Sequence, residues 1–131
     1  MAEKPSRDQQ ITDNDKLMGL LSYVIWLIVP LIVLLTEAGK TRAFQRYHAI
    51  QALGVLVAAV IFDVVISVFG CLATFVLGAV SGGLGNLLGV CLVPIYLVPW
   101  AISIYYGIRA YQGQYVEIPY LTKFMTQQGW L

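Results

Sequence analysis

The run DVVISVFGCLATFVLGAVSGGLGNLLGVCLVPIYLVPWAISIYYGIR, residues 63–109, decides the fold. Between Asp63 and Arg109 stand 45 consecutive residues without a charge. The hydrocarbon core of a bilayer is about 30 Å thick and takes about 20 apolar residues of helix, each rising about 1.5 Å. Extended backwards to Ala49, the run is long enough for two crossings. A second uncharged run, 20 residues between Lys16 and Glu37, fits one more. Composition agrees: 59% of the 131 residues are hydrophobic and 11% charged, against about 25% charged in soluble domains. The expected fold is all-α, an integral membrane helical bundle with an interfacial amphipathic segment. Three transmembrane helices are expected near 14–36, 42–80 and 86–111, in one domain spanning 13–131. Four crossings, with a second break near Gly70, is the alternative.

Outward from that run, the boundaries follow from local chemistry. Residues 1–12 read as a flexible polar tail, and Asp13 or Asn14 offers an acceptor to cap the first helix. Asp8, Asp13 and Asp15 precede the first apolar run, which is too long for a cleavable signal, so Leu17–Leu35 is expected to be a retained transmembrane helix. Pro30 removes a backbone bond within it and is expected to kink it. In the second helix Asp63, Ser67, Gly70, Thr74, Gly78 and Ser81 keep one helical phase, which argues for a single long helix rather than two short ones. The glycines of Ser81–Gly85 make the turn, and Asn86 is placed to cap the third helix. That helix has its own stripe through Gly89, Tyr96, Trp100, Ser103 and Gly107, and Pro94 and Pro99 are expected to bend it. A short amphipathic segment, 120–130, closes the chain.

Three places carry candidate function. The first is Asp63, a carboxylate in an apolar span, which is costly there and by default suggests an ion or proton role or a helix-to-helix tie. An antiparallel hairpin around 81–85 brings Asp63 level with Ser103, so its expected partners are Ser103, Tyr106 and its neighbour Ser67. The second is the basic and aromatic segment Arg42, Phe44, Arg46, Tyr47, His48 and Gln51, expected to lie at the headgroup layer as a docking surface for anionic lipid or a protein partner. The third is the tail 111–120, where Gly113 suits a helix C′ position and Pro119 prevents the helix from resuming.

Other chemistries are not encoded. One His and two Cys, with Cys71 and Cys91 both in apolar stretches, leave no metal-ligand set, and no cofactor motif or phosphate loop occurs. A net charge of +1 gives no field to attract nucleic acid. Enzymatic catalysis is not expected.

Two segments together carry a family resemblance. Arg42, Phe44, Arg46, Tyr47, His48, Ala49 and Gln51 fit a pattern in which arginine and aromatic residues precede (His or Asn)-Ala-x-Gln, and Gly113, Tyr115 and Pro119 fit a closing Gly-x-Tyr-x-x-Ile-Pro. In order and spacing the chain resembles uncharacterised bacterial membrane proteins related to the twenty-kilodalton Tic subunit of the chloroplast inner-envelope import translocon. The resemblance implies a translocon-like subunit or membrane scaffold, working with an unknown membrane protein partner or as a homo-oligomer. The alternative is a small oligomeric ion or proton-coupled transporter centred on Asp63. The bacterial cytoplasmic membrane is the expected location. With three crossings, five positive residues (Lys40, Arg42, Arg46, Arg109 and Lys123) face three (Lys4, Arg7 and Lys16) across the membrane, which makes the C-terminus cytoplasmic and the N-terminus external.

Overall fold

The computed structural model describes residues 8–131; most of the expected N-terminal tail lies outside the described residues. Seven helices occur among them: α1 (Asp13–Val24), α2 (Ile28–Leu35), α3 (Glu37–Thr41), α4 (Ala43–Ser81), α5 (Gly83–Tyr96), α6 (Val98–Tyr111) and α7 (Leu121–Gln127). They resolve into two compact units. One comprises the chain up to Leu56 together with Ile102–Leu131, and the other is Val57–Ala101.

The second unit is a helical hairpin made by the later part of α4, all of α5 and the first residues of α6. Its turn is tighter than expected, because Gly82 alone supplies the positive φ of 61° and α5 starts at Gly83. Asn86 therefore lies inside the first turn rather than capping it. The two arms approach closely where side chains are absent: a Cβ on Gly85 would sit 2.8 Å from the Thr74 carbonyl oxygen and 3.0 Å from Gly78. Ser67 meets the Tyr96 hydroxyl at 3.1 Å, whereas the expected register would have set Ser67 level with Pro99. The pairing is thus shifted, because the shortened turn brings the arms together earlier. Leu97 separates α5 from α6; Pro94 and Pro99, on either side of it, each lack the N–H that a continuous helix would use. Apolar side chains cover the outside of this unit, with Phe75 78% and Val80 82% exposed. Two helical stretches, Ala43–Ser81 and Gly83–Tyr111, are long and apolar enough to cross a membrane, and only 17% and 11% of their most apolar windows are buried. A core helix of a soluble protein is mostly buried; these are not.

The first unit overturns one expectation. Residues 14–36 do not form one helix. α1 stops at Val24, and α2 begins after three intervening residues with Pro30 in its first turn. Proline cannot donate to the carbonyl four residues back, and its ring crowds that position, so a helix running through Trp26 is disfavoured and the break falls there. The chain then folds back. Asp15, at the start of α1, bonds to Arg42 and Gln45, while Tyr23, at its far end, bonds to His48 and Gln51. α1 therefore runs alongside the first part of α4 in the same direction, and α2 has to return from the level of Tyr23 to the level of Arg42. Packing agrees: Met18 and Leu21 of α1 lie against the cluster formed by Val29, Val33 and Ala49. The expected first crossing is a helical hairpin whose two ends meet.

Small residues set the centre of this unit. Gly19 of α1 faces Phe44, His48 and Ala110, and Gly107 of α6 faces Leu20 and Tyr23. α1 is thus enclosed by α4 on one side and α6 on the other. α7 closes the bundle by laying Leu121 and Met125 against Gly54.

Candidate functional site

Two polar systems lie inside the first unit. The outer one surrounds Asp15, which is 1% exposed. Thr12, not Asp13 or Asn14, caps α1: its hydroxyl accepts from the Asp15 N–H, and the Asp15 carboxylate accepts from the Thr12 N–H, a reciprocal capping box. The signal, Thr12-x-x-Asp15, was present in the sequence. What the sequence did not show is that the same carboxylate also accepts from the Arg42 guanidinium through both Nε and Nη2 and from Gln45 Nε2. Burial by itself would push the Asp15 carboxyl up; the Arg42 hydrogen bond, then those from Thr12 and Gln45, outweigh it and hold the group at about 2. The Asp15 carboxylate in turn raises the Arg42 guanidinium. Arg42 also donates to the Gln10 carbonyl, and the Gln9 side-chain amide bridges the Thr41 carbonyl and the Ala43 N–H. The N-terminal strand of chain is thereby fastened to the start of α4.

The inner system is aromatic and uncharged. The Tyr23 hydroxyl donates to Gln51 Oε1 at 2.9 Å and lies 3.1 Å from His48 Nδ1. His48 Nε2 lies 2.8 Å from the Gln114 carbonyl, which can only accept, so this nitrogen carries a proton. Gln51 Nε2 donates to the Val116 carbonyl and to the Thr122 hydroxyl, and the Tyr47 hydroxyl donates to the same Val116 carbonyl. Phe44, Tyr47, His48 and Tyr115 pack edge to face around this network, with ring centroids 4.5–5.3 Å apart for the closest pairs. Side chains of α4, braced by Tyr23 of α1, therefore hold the irregular segment after α6 by its backbone carbonyls, which an apolar environment would otherwise leave unpaired.

These contacts correct the docking-surface reading. Phe44, Tyr47, His48 and Gln51 are buried, and Arg42 is committed to Asp15; of the six only Arg46 is left outside this packing. The amphipathic period was right, but the aromatic face turns inward to the protein, and lipid does not meet it. The tail residues are structural in the same sense. Gly113, with φ 82°, takes the C′ position of α6, its N–H bonding to the Ala110 carbonyl and that of Gln114 to the Arg109 carbonyl. Tyr115 packs in the aromatic cluster, and Pro119 leads into a tight turn at Tyr120, whose φ of 64° is unusual for a non-glycine residue.

The candidate intramembrane set has members in both units. Ser67 donates to the Asp63 backbone carbonyl rather than to its carboxylate. The Ser103 hydroxyl, in the first unit, donates to the Tyr23 carbonyl and accepts from Trp26 Nε1. Tyr106 packs against the core cluster around Tyr23. The expected bond from the Asp63 carboxyl to Ser67 is not made, and Asp63 Oδ1 is buried without a hydrogen-bond partner among the described residues. Cys71 and Cys91 are exposed and unpaired.

Residues 14–125 match the MamF/MmsF family, the magnetosome magnetite crystal formation protein family. The match spans most of the chain, which belongs to that family. It overturns the translocon resemblance: the motif around Arg42–Gln51 and the closing Gly-x-Tyr-x-x-Ile-Pro belong here to a magnetosome family, not to import-translocon relatives. No curated protein and no solved structure matches the chain.

Proposed function

We propose that this family member is a non-catalytic integral protein of the bacterial membrane around the growing magnetite crystal, crossing that membrane twice with both termini on the cytoplasmic face. One observation carries the reading. The start of α1, the α3 region, the start of α4 and the segment after α6 are bonded to one another through Gln9, Asp15, Arg42, His48 and Gln51. Residues 9–15, the 36–42 loop and the segment around 114–116 are thus presented together. All eight Lys and Arg fall outside residues 57–101, and so does every acidic residue except Asp63. The positive-inside rule then opposes eight positive residues to none, where a three-crossing arrangement gives five to three. On the far side stands only the turn Ser81–Asn86, which offers iron or mineral no carboxylate. The protein's contribution to crystal formation accordingly lies in the membrane and at its cytoplasmic face.

Single cysteines at positions 10, 38, 83 and 126, in a background with Cys71 and Cys91 replaced by serine, test the topology with an impermeant maleimide. Positions 10, 38 and 126 are expected to label from one side and position 83 from the other. Labelling of 10 and 126 from opposite sides sinks the two-crossing reading.

A second reading, an ion- or proton-coupled role, draws support from the unpartnered oxygen of Asp63 in the apolar hairpin. Asp63→Asn keeps the shape and removes the titratable group. If the reading holds, the variant folds normally but loses proton-dependent flux in liposomes; equal flux in both proteins removes it.

A further inference from the structure

We infer that the α1–α2 hairpin is a wedge inserted into one leaflet of the bilayer, and that it makes the protein accumulate where that leaflet is convex. The inference rests on the two-crossing membrane reading and adds to it a preference for membrane shape.

The first argument is length. α1 has 12 residues and α2 has 8, which as helices reach about 18 Å and about 12 Å. Either is too short for a hydrocarbon core of about 30 Å and close to the depth of one leaflet. Because the ends of the hairpin meet at Asp15 and Arg42, what enters on one side leaves on the same side.

The second argument is the surface of the hairpin. Its inner face is committed to protein through Tyr23, Val29 and Val33. Its outer face and tip are apolar and uncovered: Leu27 is 53% exposed and Ile28 62%, with Val24, Ile25, Leu31 and Ile32 beside them. At the open end the character reverses, and two exposed ion pairs, Asp13–Lys16 and Glu37–Lys40, stand where headgroups and water would be. Apolar tip and charged base form the polarity gradient of one leaflet. Acyl chains are therefore the occupant of this face.

The third argument is the tip itself. A helix end in hydrocarbon leaves carbonyls unpaired, and irregular backbone at that depth persists only where the protein supplies partners. Here the Ser103 hydroxyl donates to the Tyr23 carbonyl at 2.6 Å and takes the Trp26 indole N–H in return. One side chain from α6 thus satisfies a carbonyl at the end of α1 and the only polar group on the tip's side chains. A tip meant for water would not require it.

Two helices, each about 10–12 Å across with side chains, enlarge one leaflet without enlarging the other. Bending the bilayer so that this leaflet is on the outside relieves the mismatch, as for other shallow apolar insertions whose binding is curvature-sensitive. With the termini cytoplasmic, the favoured membrane is a small vesicle that carries the hairpin on its outer leaflet.

The test uses the full-length protein, fluorescently labelled and reconstituted by detergent removal into vesicles of mixed size, with protein density per lipid read on single vesicles against diameter. Density is expected to rise severalfold from the largest to the smallest vesicles. The double variant Leu27→Ser, Ile28→Ser, altered only at exposed positions, should lose most of that rise while keeping its helicity. A flat profile for the unaltered protein, or an unchanged rise in the variant, overturns the inference. A cysteine at position 27 in the serine background supplies an independent arm, expected to resist an impermeant maleimide from both sides until detergent is added. Labelling of position 27 in intact vesicles overturns the wedge, while same-side labelling of positions 10, 38 and 126 leaves the two-crossing reading standing. Labelling of 10 and 38 from opposite sides removes that reading and the wedge together.

Discussion

The two units of this chain are built from similar apolar residues and held together in different ways. In the hairpin of residues 57–101, contact is made by absence: Gly85 against Thr74 and Gly78, and Gly70 beneath Leu92, let backbones approach, and the side-chain hydrogen bond of Ser67 with Tyr96 crosses between the arms. Such packing is what helices use where lipid tails are as apolar as leucine and burial between helices gives no hydrophobic gain. The unit formed by the two chain ends is instead tied by polar side chains, from the Asp15 cluster through Tyr23, His48 and Gln51 to the carbonyls of Gln114 and Val116. Its helices are short, its connections irregular, and each irregular stretch needs partners for its backbone groups. The difference teaches that in this protein polar side chains are placed where the backbone departs from helix, and small residues where it does not.

That contrast can be broken most directly at Arg42. Arg42→Ala leaves the buried Asp15 carboxylate without its cation, and removing one partner of such a pair is destabilising because the remaining charge is left uncompensated. The Arg42 side chain is itself 31% exposed, so the loss falls short of that of a fully buried pair but is expected to be the largest of the three effects. Unfolding in mixed micelles, followed by circular dichroism, measures it, and a loss below about 1 kcal/mol would reduce the cluster to an ordinary surface ion pair.

Acid provides a smaller, reversible perturbation of the same unit. The Asp15 carboxyl is held at about 2 in the fold, below its ordinary value of 3.8. A group lowered by folding stabilises above its unfolded value and loses that contribution as pH falls through the folded one. The contribution is therefore complete above about pH 4 and disappears between about pH 4 and pH 2, a change on the order of 2 kcal/mol. Melting of the unaltered protein across that window should show the loss, and Arg42→Ala should flatten it.

The smallest effect belongs to the hairpin. Phe75 is 78% exposed to what is here the bilayer, so Phe75→Ala removes no protein contact and should alter stability by no more than about 0.5 kcal/mol. The same assay reads it. A loss comparable with that of Arg42→Ala would mean that Phe75 packs against protein, and the distinction between the two units would fail.

Much of the fold was legible in the sequence because its signals are local. The 45-residue uncharged run implied a hairpin of apolar helices, the phase from Asp63 to Ser81 implied one continuous helix, and Gly113 marked the end of α6; α4 and the C′ geometry of Gly113 agree. The period of Phe44, Tyr47, His48 and Gln51 was also legible, but a period says only that residues share a face. Whether that face meets lipid or protein depends on what arrives opposite, and here α1 and the 114–122 segment arrive. The first apolar run shows the same limit. Twenty uncharged residues satisfy one crossing and a folded hairpin equally well, since each needs only an apolar surface. The choice between them was made by the Tyr23–Trp26–Ser103 contacts and the Asp15–Arg42 pair, joining residues 77, 80 and 27 positions apart. Composition and period fixed which segments are helical and which are apolar, because those depend on neighbours along the chain. The direction of α2, the burial of the aromatic face and the gathering of the charged ends were decided by tertiary structure, because a backbone carbonyl in an apolar medium requires a partner and only the folded chain supplies it.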